Sequence, residues 1–238
     1  MYLLAKTAVY VCSGPINIRI VSSKEHTMAK NINGFFPGEL APTTTIAGCI
    51  SIYERAWPNN QQTIQRVETE CESATSGIRW ERAPTIGDGV HQNMRTNRML
   101  PVSYLADVEN NALMQNIHNQ FNMLLLAAST GYSERFGVED GQRLVQEDYS
   151  LLRYSGGQQY HAHHDGVPSN ARVISAICYL NDDYEGGELE FTNFDIKIKP
   201  QAGMLILFPS NYAYQHIAHP VTDGSKYALV TWIKAYDN

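Results

Sequence analysis

Residues 172–210, RVISAICYLNDDYEGGELEFTNFDIKIKPQAGMLILFPS, decide the fold of this chain. They consist of short runs rich in β-branched and aromatic residues, and Gly, Asn, Asp and Pro separate the runs. Similar runs flank the stretch, namely YSLLRYS (149–155), QQYHAHHD (158–165), YAYQHIAHPV (212–221) and KYALVTWIKAY (226–236). Regularly spaced short strands with turn residues between them predict a sandwich, a barrel or a jelly roll.

The residues before Gln146 follow a different pattern. The run CISIY at 49–53 resembles a strand, and residues 75–102 show no period and predict a long ordered loop. Helical spacing after Pro58 relates Ile64, Val67 and Cys71. A second helix is predicted over 107–129 from the spacing of Leu113, Ile117, Phe121 and Leu124. We therefore expect an α+β fold whose double-stranded β-helix (jelly-roll) core is supported by helices.

The same patterns predict the domain organisation. Residues 1–47 carry loop residues and one strand-like run, INIRIV at 16–21, and predict an N-terminal extension. One domain is expected over 48–238, with a helical first part at 48–146 and a jelly-roll core at 147–238. A chain of 238 residues is long enough for one large domain or at most two small ones.

Composition and charge restrict the classes of partner. The net charge of −6 argues against a general electrostatic grip on nucleic acid or anionic lipid, so neither nucleic acid nor a membrane is expected as a partner. No apolar stretch approaches the ~20 residues of a membrane-spanning helix. Lys6 interrupts the apolar run at the N-terminus, which argues against a secretory signal there. The four cysteines (Cys12, Cys49, Cys71, Cys178) are scattered, which favours free thiols and a cytoplasmic location.

The densest polar cluster is YHAHHDG at 160–166. Residues two apart share a face of a strand, so His163 and Asp165 project together, with His161 on the same side. A third metal ligand must come from another strand, and either His216 or His219 can supply it. Two histidines and one carboxylate leave an open face, as in the non-haem Fe(II) oxygenases, whereas structural zinc prefers four closed ligands. A lone H-x-D on a strand is more often not a metal site.

The surrounding motifs make the cluster more specific. In order, the chain contains Tyr154-Ser-Gly-Gly, Tyr160-His-Ala-His163-His-Asp165, Arg172, Tyr179-Leu180-Asn181, Gly186-Gly187-Glu188, Pro200-Gln-Ala-Gly203, His216, Pro220-Val221, Lys226 and Trp232. This ordered set resembles the prolyl 4-hydroxylase branch of the Fe(II)/2-oxoglutarate-dependent dioxygenases, over roughly residues 48–236. Arg95-Thr96 also resembles the family's N-terminal half, and the stretch between Asp165 and Arg172 is shorter than the family's.

The resemblance implies a set of cofactors and residue roles. Fe(II) is bound by His163, Asp165 and His216, the last of which lies four residues before Pro220, where the family has its distal ligand; His219 then has a surface or supporting role. The co-substrate 2-oxoglutarate is bound through its C5 carboxylate by Lys226, with Tyr154 and Tyr179. Members of the family often need ascorbate to restore the iron after uncoupled cycles, although no residue pattern here encodes that need.

The resemblance also implies the reaction. A proline-containing peptide or protein would be hydroxylated at C4 with O₂, as by enzymes of the procollagen-proline 4-dioxygenase type, and Tyr160, Arg172 and Trp232 would line the peptide site. Strict alternation puts Tyr160 on the face opposite His163, so a bulge or twist between them is expected. Lys234 stands where plant-type members carry a histidine.

Two other functions are consistent with the residues. The same mechanism could act on another residue or on a small molecule. The jelly roll could instead be a binding module without turnover, although such a module has no need of both an open metal face and Lys226.

Overall fold

The computed structural model describes residues 40–58, 60–84, 94–138, 142–167, 169 and 171–237, together with the backbone of two short strands nearer the N-terminus. The α-helices of this part of the chain are α1 (Asn60–Glu72), α2 (Val102–Asp107) and α3 (Ala112–Phe136). Its strands are β1 (Lys6–Val9), β2 (Asn17–Ser22), β3 (Thr44–Ile46), β4 (Ile50–Tyr53), β5 (Glu81–Arg82), β6 (Arg98–Leu100), β7 (Gln142–Gln146), β8 (Ser150–Ser155), β9 (Tyr160–His163), β10 (Arg172–Tyr179), β11 (Glu185–Gly186), β12 (Leu189–Phe191), β13 (Ile196–Ile198), β14 (Leu205–Pro209), β15 (His216–Ala218), β16 (Val221–Asp223) and β17 (Ser225–Asp237).

Two antiparallel sheets form the core. The larger sheet has the order β1-β2-β7-β17-β10-β14-β4-β3, and β8 also pairs with β17 and with β6, which in turn pairs with β5. The smaller sheet has the order β13-β12-β15-β9, and β11 pairs separately with β16. Every predicted β-rich run after Gln146 contributes at least one strand. The predicted jelly roll supported by helices is therefore confirmed.

Strand β10, near the centre of the larger sheet, has a nearly continuous apolar sequence. Ile174, Ala176 and Cys178 belong to the apolar cluster that contains helix α3, whereas Ile177 and Tyr179 belong to the cluster that contains strand β12 of the smaller sheet. Residues two apart share a face of a strand, so the helices cover one face of β10 and the smaller sheet covers the other. Because both faces are buried, both are apolar.

The long helix begins later than the sequence pattern predicts. The predicted helix over 107–129 is wrong at its start, because α2 ends at Asp107 and α3 begins at Ala112. The side chain of Asn111 accepts a hydrogen bond from the backbone N–H of Met114 and so caps α3. The helix ends at Phe136, beyond the predicted end at 129, and Gly137, which has a φ of 65°, is its C-cap. The four apolar residues that defined the prediction are all buried.

The other predictions before the jelly roll concern a strand, a helix and a loop. Strand β4 and helix α1 confirm the predicted strand at 49–53 and the helix after Pro58. The predicted loop over 75–102 is wrong in part, because it contains strands β5 and β6, and β6 joins the larger sheet through β8. In the described part of the chain, no helix has the length and hydropathy needed to cross a membrane.

The N-terminal residues attach to the larger sheet at two places. Strand β2 pairs with β7, and β3 pairs with β4. Leu40 packs against the apolar cluster beside the helices. The domain boundary at residue 47 stays a prediction.

Candidate active site

The three predicted metal ligands meet where the two central strands of the smaller sheet lie side by side. His163 at the end of β9 is paired directly with His216 at the start of β15, and Asp165 follows β9 by two residues. One ligand atom from each of the three lies within 4.8 Å of the others. The Nε2 atoms of His163 and His216 are 3.6 Å and 3.7 Å from the Asp165 carboxylate oxygens. These residues could hold a metal ion.

Hydrogen bonds from the backbone set the orientation of both imidazoles. The Nδ1 atom of His163 lies 2.7 Å from the His161 carbonyl oxygen, and that of His216 lies 3.1 Å from the Tyr214 carbonyl oxygen. A carbonyl can only accept, so Nδ1 carries the proton and Nε2 presents its lone pair to the centre of the cluster. This tautomer is the one in which Nε2 binds a metal.

The ionisation states also suit a metal site. Burial, aided by the neighbouring His216, lowers the pKa of His163 to about 3, so this imidazole is neutral near pH 7. Burial alone would raise the pKa of Asp165, but His216, His163 and the Ser175 hydroxyl together hold it below its usual value. Ser175 donates a 2.6 Å hydrogen bond to the Asp165 carboxylate. Two imidazoles and one carboxylate are the donor set of a two-histidine, one-carboxylate metal site with an open face.

A β-bulge brings Tyr160 to the same side as His163. The partners of Tyr160 and His163 on β15 are Ala218 and His216, so a three-residue step on β9 faces a two-residue step on β15. One extra residue on one strand reverses the alternation of side chains. The two rings stack with centroids 3.5 Å apart. The bulge that the sequence required is therefore confirmed.

An inner cavity next to the three ligands contains a buried cation. Lys226 is only 2% exposed, donates a 2.8 Å hydrogen bond to the Gly187 carbonyl and lies 4.5 Å from the centre of the Tyr154 ring. Burial lowers its pKa to about 7. No carboxylate of the described residues forms an ion pair with it. A buried cation without a counter-ion is suited to binding an anion.

Tyr154 and Tyr179 line the same inner cavity. Tyr154 lies directly across from Lys226 in the pairing of β8 with β17. Burial raises the pKa of Tyr154 to about 12, and burial likewise holds the pKa of Tyr179 well above its ordinary value. Both hydroxyls therefore keep their protons and can donate hydrogen bonds to an anion beside Lys226.

An outer groove of about 360 Å³ opens from the cluster, and the three predicted peptide-binding residues line it. The Arg172 guanidinium stacks on the Trp232 ring, 3.6 Å from its centre. Arg172 also donates hydrogen bonds of 2.8 Å and 2.6 Å to the two carboxylate oxygens of Glu147. Tyr160 lines the groove on the side of His163.

Three other described histidines, His161, His164 and His219, do not join the cluster. His161 was expected on the same side as His163 and Asp165, but its side chain is exposed and it is not one of the three clustered ligands. His164 Nδ1 lies 2.8 Å from the Gly166 carbonyl oxygen. His219 Nε2 lies 2.6 Å from a carboxylate oxygen of Glu190. His219 therefore lies in a partly exposed polar cluster with Glu190 rather than with His216.

Three residues at the site were not assigned a role from the sequence. Arg95 lines both the groove and the inner cavity, Ser175 supports Asp165, and Glu147 holds Arg172. Ser175 carries a readable signal, since it is the polar residue within the apolar run VISAICY. Arg95 and Glu147 reach the site through tertiary folding, and no local pattern identifies their contacts.

Comparison with known proteins agrees with this geometry. Residues 149–234 match the family model of the 2OG-Fe(II) oxygenase superfamily. Probable prolyl 4-hydroxylase 9 of Arabidopsis thaliana is 33% identical over an alignment of 120 residues, which covers 38% of this chain and 42% of the relative. Prolyl 3-hydroxylase 2 of Homo sapiens is 42% identical over an alignment of 66 residues, which covers 26% of this chain and 9% of the relative.

A solved structure supports the fold. A prolyl hydroxylase from Trichoplax adhaerens, in complex with a hypoxia inducible factor oxygen degradation domain peptide fragment, aligns with a TM-score of 0.62 at 18% identity. The alignment covers 79% of this chain and 84% of that one.

The chain therefore carries a 2OG-Fe(II) oxygenase domain, for which Fe(II) and 2-oxoglutarate are the cofactor and co-substrate. Within this superfamily it is homologous to prolyl 4-hydroxylases, which confirms the resemblance seen in the sequence. The matched stretch spans less than half the length of the first curated relatives, 42% and 45%.

Proposed function

We propose that this protein is an Fe(II)- and 2-oxoglutarate-dependent dioxygenase that hydroxylates a peptidyl proline at C4. One observation carries the proposal: the cluster of His163, Asp165 and His216 adjoins a cavity that holds the buried Lys226, which has no carboxylate partner among the described residues. The two halves of this arrangement match the two groups that the reaction needs, a divalent metal with an open face and a dicarboxylate co-substrate.

In the proposed reaction, the residues of the site have the following roles. His163, Asp165 and His216 hold the iron, with Ser175 fixing the carboxylate. Lys226 neutralises the C5 carboxylate of 2-oxoglutarate, and the Tyr154 and Tyr179 hydroxyls add hydrogen bonds. The bound iron and co-substrate supply O₂ activation, in which 2-oxoglutarate becomes succinate and CO₂ and one oxygen atom enters the substrate. Ascorbate, as a reductant for the iron, belongs to the proposal on the strength of the resemblance alone.

The substrate would lie in the outer groove. Tyr160 and Trp232 offer aromatic surfaces for a proline ring, and Arg172 is held between Glu147 and Trp232 with its guanidinium at the groove wall. Proline-rich peptides favour the extended polyproline II form and lose little conformational freedom on docking. The partner would thus be a proline-containing peptide or protein, with no role for nucleic acid or a membrane.

A second candidate is hydroxylation of proline at C3. It is favoured by the relative named prolyl 3-hydroxylase 2, whose 66 matched residues are 42% identical. The two reactions need the same iron and co-substrate residues, so the position of the proline ring in the groove decides between them.

The test is to incubate the protein with Fe(II), 2-oxoglutarate, ascorbate and proline-rich peptides of several repeat types. Succinate release should rise with peptide, and mass spectrometry should show a gain of one oxygen on proline. Chromatography of the hydrolysed peptide separates 4-hydroxyproline, which supports the proposal, from 3-hydroxyproline, which supports the second candidate. Succinate without oxygen on any peptide would point to a different substrate, and no turnover with Fe(II) would point to a binding module.

We also propose a cytoplasmic location. Among the described residues Cys49, Cys71 and Cys178 are free, as thiols are in a reducing compartment. Cys12 lies outside the described residues. Fluorescence microscopy of the tagged chain in its source cell would test this location.

A further inference from the structure

We infer that the outer groove selects a peptide with an acidic side chain close to the residue that is oxidised. This inference deepens the proposed function, because it names the class of peptide that the same groove would accept. Two cations, Arg95 and Arg172, line the groove. Among the described lining residues the carboxylate is that of Asp165, which belongs to the three metal ligands.

Arg95 provides the first positive position. Its Nε donates a 2.8 Å hydrogen bond to the Asn97 side-chain oxygen, and its Nη1 donates a 3.0 Å hydrogen bond to the Pro84 carbonyl. No carboxylate of the described residues forms an ion pair with it. Its guanidinium lies 4.9 Å from the centre of the Tyr160 ring, which stacks on His163. The neutral acceptors fix this cation beside the metal ligands without cancelling its charge.

The second positive position is a cluster of two cations that share one carboxylate. Glu147 accepts from Arg172 at 2.6 Å and from Lys234 at 3.0 Å. Arg172 and Lys234 lie directly across from each other in the pairing of β10 with β17. Glu147 carries one negative charge against these two cations, so the three side chains together carry one positive charge. The Lys234 side chain is 26% exposed and therefore stays accessible to solvent.

Lys234 is the part of this cluster that is particular to this chain. It stands at the position where the resemblance expects a histidine, which is largely neutral near pH 7. With a neutral residue there, the charges of Glu147 and Arg172 would balance, and the positive charge beside the groove wall at Arg172 would be lost. The lysine therefore converts a balanced ion pair into a positive site on the side of Asp165 and Trp232, while Arg95 is positive on the side of His163.

Charge and shape together favour a peptide over a nucleic acid. The protein as a whole carries a net charge of −6, which opposes a long polyanion. The groove is also lined by the apolar side chains of Met94, Met99 and Val167. Two separate cations on an apolar wall match individual carboxylates on an extended chain better than a continuous run of phosphates.

The experiment measures binding separately from turnover. Three labelled peptides of equal length and proline content carry Glu, Gln or Lys on both sides of the proline. Their Kd is measured by fluorescence anisotropy on the protein loaded with Mn²⁺ and 2-oxoglutarate without O₂. The Glu peptide should bind about tenfold more tightly than the Gln peptide, since a hydrogen bond to a charged group is worth more than a neutral one, and the Lys peptide should bind most weakly. High salt should shrink the difference.

Charge-removing variants assign the preference to residues. Lys234→Gln and Arg95→Gln should each reduce the ratio of the Gln-peptide Kd to the Glu-peptide Kd. Arg66→Gln removes the same charge from an exposed position on helix α1 and should leave the ratio unchanged. If a groove variant fails to fold, the three peptides and the salt series on the unaltered protein still decide.

Equal Kd values for the Glu and Gln peptides overturn the inference, as does tighter binding of a single-stranded oligonucleotide than of the Glu peptide. The proposed function is judged by a separate readout. A Glu peptide that binds tightly but gains no oxygen with Fe(II) and O₂ refutes proline hydroxylation and leaves the charge preference standing.

Discussion

The burial of the Lys226 ammonium lowers the stability of the fold, and it suits the proposed binding of an anionic co-substrate. Among the described residues it donates one hydrogen bond, to Gly187, and has no carboxylate partner. Removing a cation from water without a counter-ion costs free energy. The fall of its pKa to about 7, with burial as the main cause, reflects that cost.

The first prediction follows from the sign of this pKa shift. The folded protein holds the Lys226 proton less tightly than the unfolded chain, so between pH 7 and pH 10 the free energy of unfolding of the unaltered protein should rise relative to that of Lys226→Met. Without 2-oxoglutarate, Lys226→Met should be the more stable at pH 7, by up to about 4 kcal/mol. Urea denaturation of both proteins from pH 7 to pH 10 measures the gap, and a gap that does not change with pH would contradict the assignment.

The second prediction concerns binding by the same residue. Lys226→Met removes the counter-charge of the C5 carboxylate, and breaking a buried ion pair costs about 3–5 kcal/mol. The Kd for 2-oxoglutarate should therefore rise by roughly two to three orders of magnitude. Isothermal titration with Mn²⁺-loaded protein measures it, and Lys226→Arg, which keeps the charge, is the matched control. An unchanged Kd would exclude Lys226 from the co-substrate site.

A third prediction at this scale separates the two histidines of β15 and the turn after it. His216→Ala leaves two of the three ligands and should weaken Fe(II) binding strongly. His219→Ala removes only a partly exposed contact with Glu190 and should leave iron binding intact. Iron content after anaerobic dialysis is the measurement. Iron lost from His219→Ala and kept by His216→Ala would mean that the distal ligand is misassigned.

At the scale of elements, two irregularities shape the site. The bulge in β9 turns Tyr160 toward the metal ligands, and the turn between β11 and β12 carries the carbonyl that receives the Lys226 hydrogen bond. Gly186, the last residue of β11 before that turn, has a φ of +69°, and a Cβ there would overlap the Pro220 carbonyl oxygen. Glycine is thus required both by the backbone conformation and by the close approach of another strand.

The turn supplies the fourth prediction, with a matched control in the same sheet region. Gly157 also has a positive φ, +81°, but a Cβ there would meet nothing within 4 Å. Gly157→Ala should lower the free energy of unfolding by about 1 kcal/mol, from backbone strain alone. Gly186→Ala should cost roughly 2–4 kcal/mol and also weaken 2-oxoglutarate binding through the displaced Gly187. Equal losses of unfolding free energy in the two variants would show that the close approach of Gly186 to Pro220 does not add to the destabilisation.

For the whole molecule, the parts of the fold that local chemistry determines could be predicted. The strands after Gln146 alternate or form short apolar runs between turn residues, so their positions follow from the sequence. The start of helix α3 was missed although Asn110 and Asn111 precede it, because a cap is a weaker signal than apolar spacing. Strands β5 and β6 are short, and their pairing depends on a distant partner, β8.

The site, like the fold, has parts that local sequence determines and parts that depend on long-range contacts. The spacing of His163 and Asp165 is local, whereas the choice of His216 over His219 needed a family resemblance. The contacts of Arg95 and Glu147 join residues that are 65 and 25 positions from Tyr160 and Arg172 along the chain. Such long-range pairs depend on how the sheets close, and no window of sequence contains them.

The last prediction tests how the N-terminal residues belong to the domain. Residues 40–47 include strand β3, which covers the edge of β4, and Leu40, which packs against the core. The Ala47 carbonyl also accepts a hydrogen bond from the Tyr214 hydroxyl. A chain of residues 40–238 should therefore be more stable than one of residues 48–238, by about 2 kcal/mol or roughly 4–8 °C in Tm. Both lack β1 and β2, so the difference isolates residues 40–47. Calorimetry measures the two Tm values. Equal values would mean that residues 40–47, including β3, do not stabilise the domain and that its boundary lies at residue 47.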